Sequence, residues 1–176
     1  VGLLLSALTV PMALAAVPGG WLSDRIGYRR TTIIGLGLAL LGFLLIWRTW
    51  TFDVAEAVIA LEMALVGIGL GLTFSPVSAS VINAADENRR GVASALVIIL
   101  RLIGMTVAIS SLTVIALQRV NVLAAAELAQ MAADANQVVA VYGRITVQVL
   151  AEVGLVGAII CVIALIPAAL GLGETK

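Results

Sequence analysis

Five long apolar runs, at about residues 2–20, 31–50, 54–82, 91–118 and 144–172, are set apart by short polar interruptions. Within each run the apolar residues are continuous and do not alternate. About 20 such residues cross a hydrocarbon core of roughly 30 Å as an α-helix. Membrane-spanning strands would instead show segments of about ten residues with strict alternation. The pattern therefore predicts an all-α integral membrane protein with five spans.

A different texture fills residues 120–142, between the fourth and fifth runs. It is Ala-rich, and Glu127, Gln130, Asp134 and Gln137 recur at three- and four-residue steps, which places them on one face of a helix. This predicts an outer helical segment with a solvated stripe. It lacks the Lys and Arg that anchor an amphipathic helix to a membrane surface. Inside the spans, Gly35, Gly37 and Gly42, then Gly67, Gly69 and Gly71, then Gly154 and Gly157 offer places where helix backbones can approach closely. Pro11, Pro18, Pro76 and Pro167 lack an amide donor and should bend or end their helices.

Composition sharpens the class. The chain is 62% hydrophobic and 11% charged, where soluble domains run at about 25% charged. Ten basic residues balance ten acidic ones, so no excess of positive charge points to nucleic acid. There is no His, and the lone Cys161 lies in an apolar run. No metal or cofactor site is expected, and a membrane-embedded enzyme is the weaker class, because a catalytic or metal constellation is hard to assemble from these residues. Val1 is followed by an apolar run with no charged stretch before it, so the beginning does not read as a signal peptide, and the chain is expected to continue upstream.

Charge placement sets the topology. Arg25, Arg29 and Arg30 follow the first span, and Arg89 and Arg90 precede the fourth. By the positive-inside rule both connections are cytoplasmic, which puts Val1 outside and Lys176 in the cytoplasm of a cell whose plasma (inner) membrane holds the protein. The opposite side carries Arg48, Asp53, Glu56, Arg119 and Arg144. Trp21, Trp47 and Trp50 suit the two aromatic belts.

Three charges fall inside spans. Arg101 lies about 15 Å along the fourth span from Gly91, close to the bilayer centre, where an Arg costs roughly 2.5–3.5 kcal/mol to insert. Ser94, Gly104, Ala108 and Ser111 share its face, so the Arg is expected to point into the bundle. Glu62 lies roughly 9 Å into the third span and Glu152 roughly 12 Å into the fifth, with Arg144 and Gln148 on the face of Glu152. Either carboxylate could meet Arg101. Two readings follow: a structural role, as an ion pair or an Arg bonded to backbone carbonyls, or a Glu62 or Glu152 carboxylate that carries a coupling proton, with Arg101 shifting its pKa or substituting as counter-ion when substrate binds.

The first polar interruption is more specific than its charge. Gly20, Leu22, Asp24, Arg25, Gly27, Arg29 and Arg30 reproduce a spacing that resembles the loop signature of the major facilitator superfamily, with Tyr28 where a basic residue is common. Residues 87–110, through Arg90, Gly91, Ser94, Arg101 and Gly104, resemble the penultimate helix of that family's fourteen-helix drug:proton antiporters. The resemblance implies a partial carboxy-terminal transmembrane domain of a secondary transporter. In it the 20–30 loop would act as a cytoplasmic gate with Asp24 as its anion. The end of the fourth span at Arg89, Arg90 and Gly91 would receive the matching anion of a missing amino-terminal half. The implied activity is proton-coupled efflux of small amphipathic or cationic molecules by alternating access. A transporter-derived membrane module that does not itself transport is the alternative.

Overall fold

The structure, a computed structural model, describes residues 2–51, 54–128 and 135–171. The predicted positions Val1, Asp53, Gln130, Asp134 and Lys176 lie outside the described residues. The chain forms α1 (Gly2–Ile26), α2 (Tyr28–Thr49), α3 (Glu56–Asn83), a short 3-10 turn at Glu87–Arg89, α4 (Arg90–Leu128) and α5 (Ala135–Gly171). All five helices are long and apolar enough to cross a membrane.

The helices outrun the spans read from hydropathy. α1 does not stop at Gly20 but carries Trp21, Ser23, Asp24 and Arg25 as a final helical stretch. Leaving hydrocarbon ends the need for apolar side chains, not the backbone hydrogen bonding. At a rise of 1.5 Å per residue, 25 residues span about 38 Å, more than the roughly 30 Å core. The reversal into α2 is confined to Gly27, whose φ of 90° is a conformation that side chains with a Cβ rarely adopt. The Gly27 carbonyl then accepts from the Thr31 amide and hydroxyl, at 3.3 and 3.1 Å, opening α2. Pro11, Pro18, Pro76 and Pro167 all sit inside helices that continue past them. Val120 to Leu128 extend α4, and Ala135 to Tyr142 open α5.

α3 is the hub, with α1 packed along one side and α2 along another, α5 against α2, and α4 against α5 and, more sparsely, α3. The glycines of α3 explain how it serves two neighbours at once. Gly67 and Gly71 are one turn apart and lie against the α1 backbone at Leu8 and Met12. Gly69, on the other side of the same helix, lies against Gly35 and Ala39 of α2. Gly42 faces Val66, and Gly154 and Gly157 admit Ile46 and Phe43 of α2. Gly37 and Gly104 have no neighbour within 4 Å of where a Cβ would stand.

α4 is held at two places. Positions 93, 94, 97 and 101 are partly covered, as are 112, 116, 120 and 123, and Ala124 is fully buried. The second set closes on Val141, Ile145 and Val149 of α5 in a small apolar cluster. Between them, residues 102–111 are all exposed, including the Gly104, Ala108 and Ser111 positions expected to face inward.

Candidate functional site

The two ends of the bundle differ in chemistry. At the Gly27 end, Gly20 sits so near Ser75 that a Cβ would come within 2.9 Å of its hydroxyl. The Arg25 guanidinium lies over the Trp21 ring at 4.0 Å from its centroid. Asn83, near the end of α3, donates through Nδ2 to the Tyr28 hydroxyl at 2.7 Å. Tyr28, which stands where the signature commonly has a basic residue, thus ties the start of α2 to the end of α3. Asp24, Arg29, Arg30, Arg89, Arg90 and Gly91 are all exposed at this end. Asp24 makes no hydrogen bond or ion pair with any described residue. The predicted gate residues are therefore brought to one end of the bundle, with no ion pair between them among the described residues.

Deeper in the bundle, α2, α3, α4 and α5 line an open cavity of about 450 Å³. Its wall is mainly apolar, with Leu36, Phe74, Val77 and Pro167 among its members, and Arg101 reaches it from α4. Arg101 Nη2 donates to the Ser78 hydroxyl at 2.8 Å, and Ser78 in turn donates to the Phe74 carbonyl at 2.8 Å. The guanidinium also lies over the Phe74 ring, 4.6 Å from its centroid, a favourable contact for a desolvated cation. A guanidinium has five N–H donors. The Ser78 bond uses one, which leaves the others available to whatever fills the cavity.

Neither candidate carboxylate meets Arg101. Glu62 is 5% exposed and accepts from Thr49 Oγ1 at 2.7 Å and from Trp50 Nε1 at 2.9 Å. These donors come from the far end of α2, so Glu62 binds α3 to α2 well away from the cavity. The Thr49 hydroxyl also lies 2.8 Å from the Leu45 carbonyl. A hydroxyl has one proton, and here two acceptors share it. Glu152 pairs instead with Arg119 Nε at 3.0 Å, both side chains being substantially exposed. Exposed pairs of this kind contribute little to stability.

Sequence reasoning looked for carboxylates around Arg101 and missed Ser78 and Phe74. The usable signal was their four-residue spacing on α3, one turn apart on the same face. It likewise placed Trp50 only in an aromatic belt, whereas its indole N–H is half of the Glu62 site. Among the described residues, no group of three His, Cys, Asp or Glu side chains could hold a metal ion.

Comparison with known proteins gives these features a context. A family model described as Major Facilitator Superfamily matches residues 1–170. A triacylglyceride transporter of Mycolicibacterium smegmatis is 33% identical over 180 residues, covering 91% of this chain and 32% of that protein. Another, from Mycobacteroides abscessus, is 35% identical over 119 residues, covering 62% of this chain and 23% of the relative. A third, from Mycobacterium tuberculosis, is 29% identical over 123 residues, covering 64% and 24%. The chain thus spans about a third of the length of the curated relatives it matches, or less.

Proposed function

The chain belongs to the major facilitator superfamily, and from that premise we propose that it is the carboxy-terminal part of a secondary transporter that moves apolar or amphipathic, lipid-like molecules by alternating access. One observation carries the substrate class: the cavity has an apolar wall and a single charge, Arg101. A cation would meet that charge with no carboxylate on the wall to offset it. A neutral ester or an anionic headgroup would find N–H donors beside an apolar surface for its chains. The relatives named triacylglyceride transporters support the same class. Small amphipathic drugs fit the second reading, export of the kind implied by the loop signature, to the extent that they are not cationic.

In this reading the Gly27 end is cytoplasmic in the plasma membrane, since it carries Arg25, Arg29, Arg30, Arg89 and Arg90. Asp24, exposed and unpartnered among the described residues, is the gate anion that docks on an amino-terminal half. The start of α4 at Arg89 to Gly91 receives the equivalent anion of that half. Movement outward is driven by protons, with Glu62 as the carrier. It is buried and makes no ion pair with any described residue. Glu152, exposed and paired to Arg119, is the weaker candidate.

The test is reconstitution of a transporter carrying this chain in vesicles, with a fluorescent triacylglycerol and a fluorescent cation as alternative cargoes and an imposed proton gradient. Gradient-dependent movement of the acylglycerol, lost in Arg101→Ala and in Glu62→Gln, is expected. Movement of the cation alone would replace the substrate class. Movement of neither would remove the transport reading.

A further inference from the structure

At the end of the bundle opposite Gly27, a groove of about 470 Å³ lies between the last turn of α2 and the Arg144 to Glu152 stretch of α5. Trp47, Arg48 and Trp50 form its α2 side; Arg144, Gln148 and Glu152 stand on its α5 side. Glu152 is occupied by Arg119 of α4. Arg48 and Arg144 are exposed and make no ion pair with any described residue, so the groove presents two uncompensated guanidinium groups. We propose that this groove binds the headgroup of an anionic phospholipid from the leaflet at that end, its phosphate held between Arg48 and Arg144.

Charge complementarity is the first argument. A phosphodiester carries one negative charge and accepts paired N–H bonds in the geometry that a guanidinium fork offers. Two forks from different helices match its two non-bridging oxygens, and Gln148 adds a neutral amide donor on the same wall. The aromatic side chains give the second argument. Trp47 is 46% exposed, and indole rings concentrate at the depth of lipid headgroups. The third is what lies beneath. Leu41, Leu44 and Leu45 are exposed at 55%, 39% and 43% and lead from Arg48 along the same side of α2 towards the middle of the span. A soluble phosphate has no use for that apolar ladder, whereas an acyl chain does. The phosphate at the groove and the chain along α2 make one continuous ligand.

The proposal does not depend on the substrate reading, since the groove is separate from the Arg101 cavity. On the topology proposed above it would face the outer leaflet.

Quenching of tryptophan fluorescence by brominated lipids tests it. The protein is reconstituted in phosphatidylcholine vesicles containing a small fraction of brominated phosphatidylglycerol or, separately, brominated phosphatidylcholine. With basic side chains near a membrane surface each attracting anionic lipid by about 1 kcal/mol, the two arginines predict a roughly thirtyfold preference for the anionic quencher. The preference should vanish in Arg48→Gln/Arg144→Gln, and Trp47→Phe should remove most of the selective quenching. Equal quenching by the two lipids would overturn the proposal, as would a preference that survives in the double variant. Added inorganic phosphate separates the remaining source. If it abolishes the preference, the groove is a soluble-anion site and the lipid assignment is wrong; unchanged quenching supports the lipid.

Discussion

Replacing Glu62 by Gln reads out the state of the carboxylate directly. In the structure the Thr49 hydroxyl faces two acceptors, the Leu45 carbonyl at 2.8 Å and Glu62 Oε1 at 2.7 Å. With a proton on Oε1 the chain closes without a conflict: Glu62 donates to Thr49, Thr49 to Leu45, and the Trp50 indole to Oε2. Gln reproduces this arrangement, its amide nitrogen donating to Thr49 and its oxygen accepting from Trp50. Glu62→Gln should then change stability by less than about 1 kcal/mol, the scale of one neutral hydrogen bond. Were Glu62 an ionised carboxylate, the same substitution would remove two charge-assisted bonds, each contributing about 1.5–3 kcal/mol. Glu62→Ala is the contrast. It strands the Trp50 N–H at about 1–3 kcal/mol and adds the cost of a cavity in a position only 5% exposed.

Thermal unfolding of the purified protein, followed by tryptophan emission, distinguishes these cases. For a chain of this length about 1 kcal/mol corresponds to roughly 2–4 °C. The expected order is Glu62→Gln within a few degrees of the parent by that conversion and Glu62→Ala well below it. A Glu62→Gln midpoint as low as that of Glu62→Ala would show that the carboxylate is charged, and would remove the basis for a proton carrier there.

Three further outcomes follow from the packing and the two ends. Gly35→Ala places a Cβ 2.7 Å from the Gly69 carbonyl oxygen and from Thr73 Cγ2, and overpacking of this kind costs about 1–3 kcal/mol; Gly37→Ala, on the same helix with nothing within 4 Å, should gain about 0.5–1 kcal/mol of helix preference, so the two melting shifts should have opposite signs. Arg101→Ala should keep the fold, since Ser78 retains its bond to the Phe74 carbonyl, while gradient-driven transport falls by at least about tenfold for a charge-assisted contact to cargo. Asp24→Asn should leave the melting midpoint unchanged, because the side chain is exposed and unpaired among the described residues, yet should abolish transport by a complete transporter.

Much of the architecture can be read from residue spacing, and the limits have physical causes. Glycines at 67, 69 and 71 lie on two sides of one helix, so a central helix with two close neighbours is written into the chain. The direction reversal at Gly27 is legible for the same kind of reason, because the turn is a single residue with a positive φ. What hydropathy cannot report is where a helix ends beyond the membrane, since backbone hydrogen bonding continues in water. It therefore stopped the first span at Gly20, while α1 runs to Ile26. The partners of the intramembrane charges were hidden for a different reason. Arg101 is met by a hydroxyl and an aromatic ring, and Glu62 by a hydroxyl and an indole N–H. A neutral partner leaves no charge pattern in the sequence.

The separation of these charges bears on how α4 is held. Arg101 is not spent on a carboxylate, so its hold on α3 is a single bond to Ser78 and a stacking contact with Phe74. Residues 102–111 of α4 touch nothing closely enough to be covered, and the apolar cluster with Val141, Ile145 and Val149 secures only the far part of the helix. The Ser78 bond is one tie between the near part of α4 and α3, beside the partly covered positions 93, 94 and 97. An acceptor that captured the guanidinium would compete for that tie. The near end of α4 carries Arg89, Arg90 and Gly91, at the same end of the bundle as Asp24 and the Tyr28–Asn83 bond. An Arg paired to a buried carboxylate would resist such an exchange, because the uncompensated charge left behind costs about 3–5 kcal/mol. Hydroxyl and ring partners let it go at the cost of about one hydrogen bond.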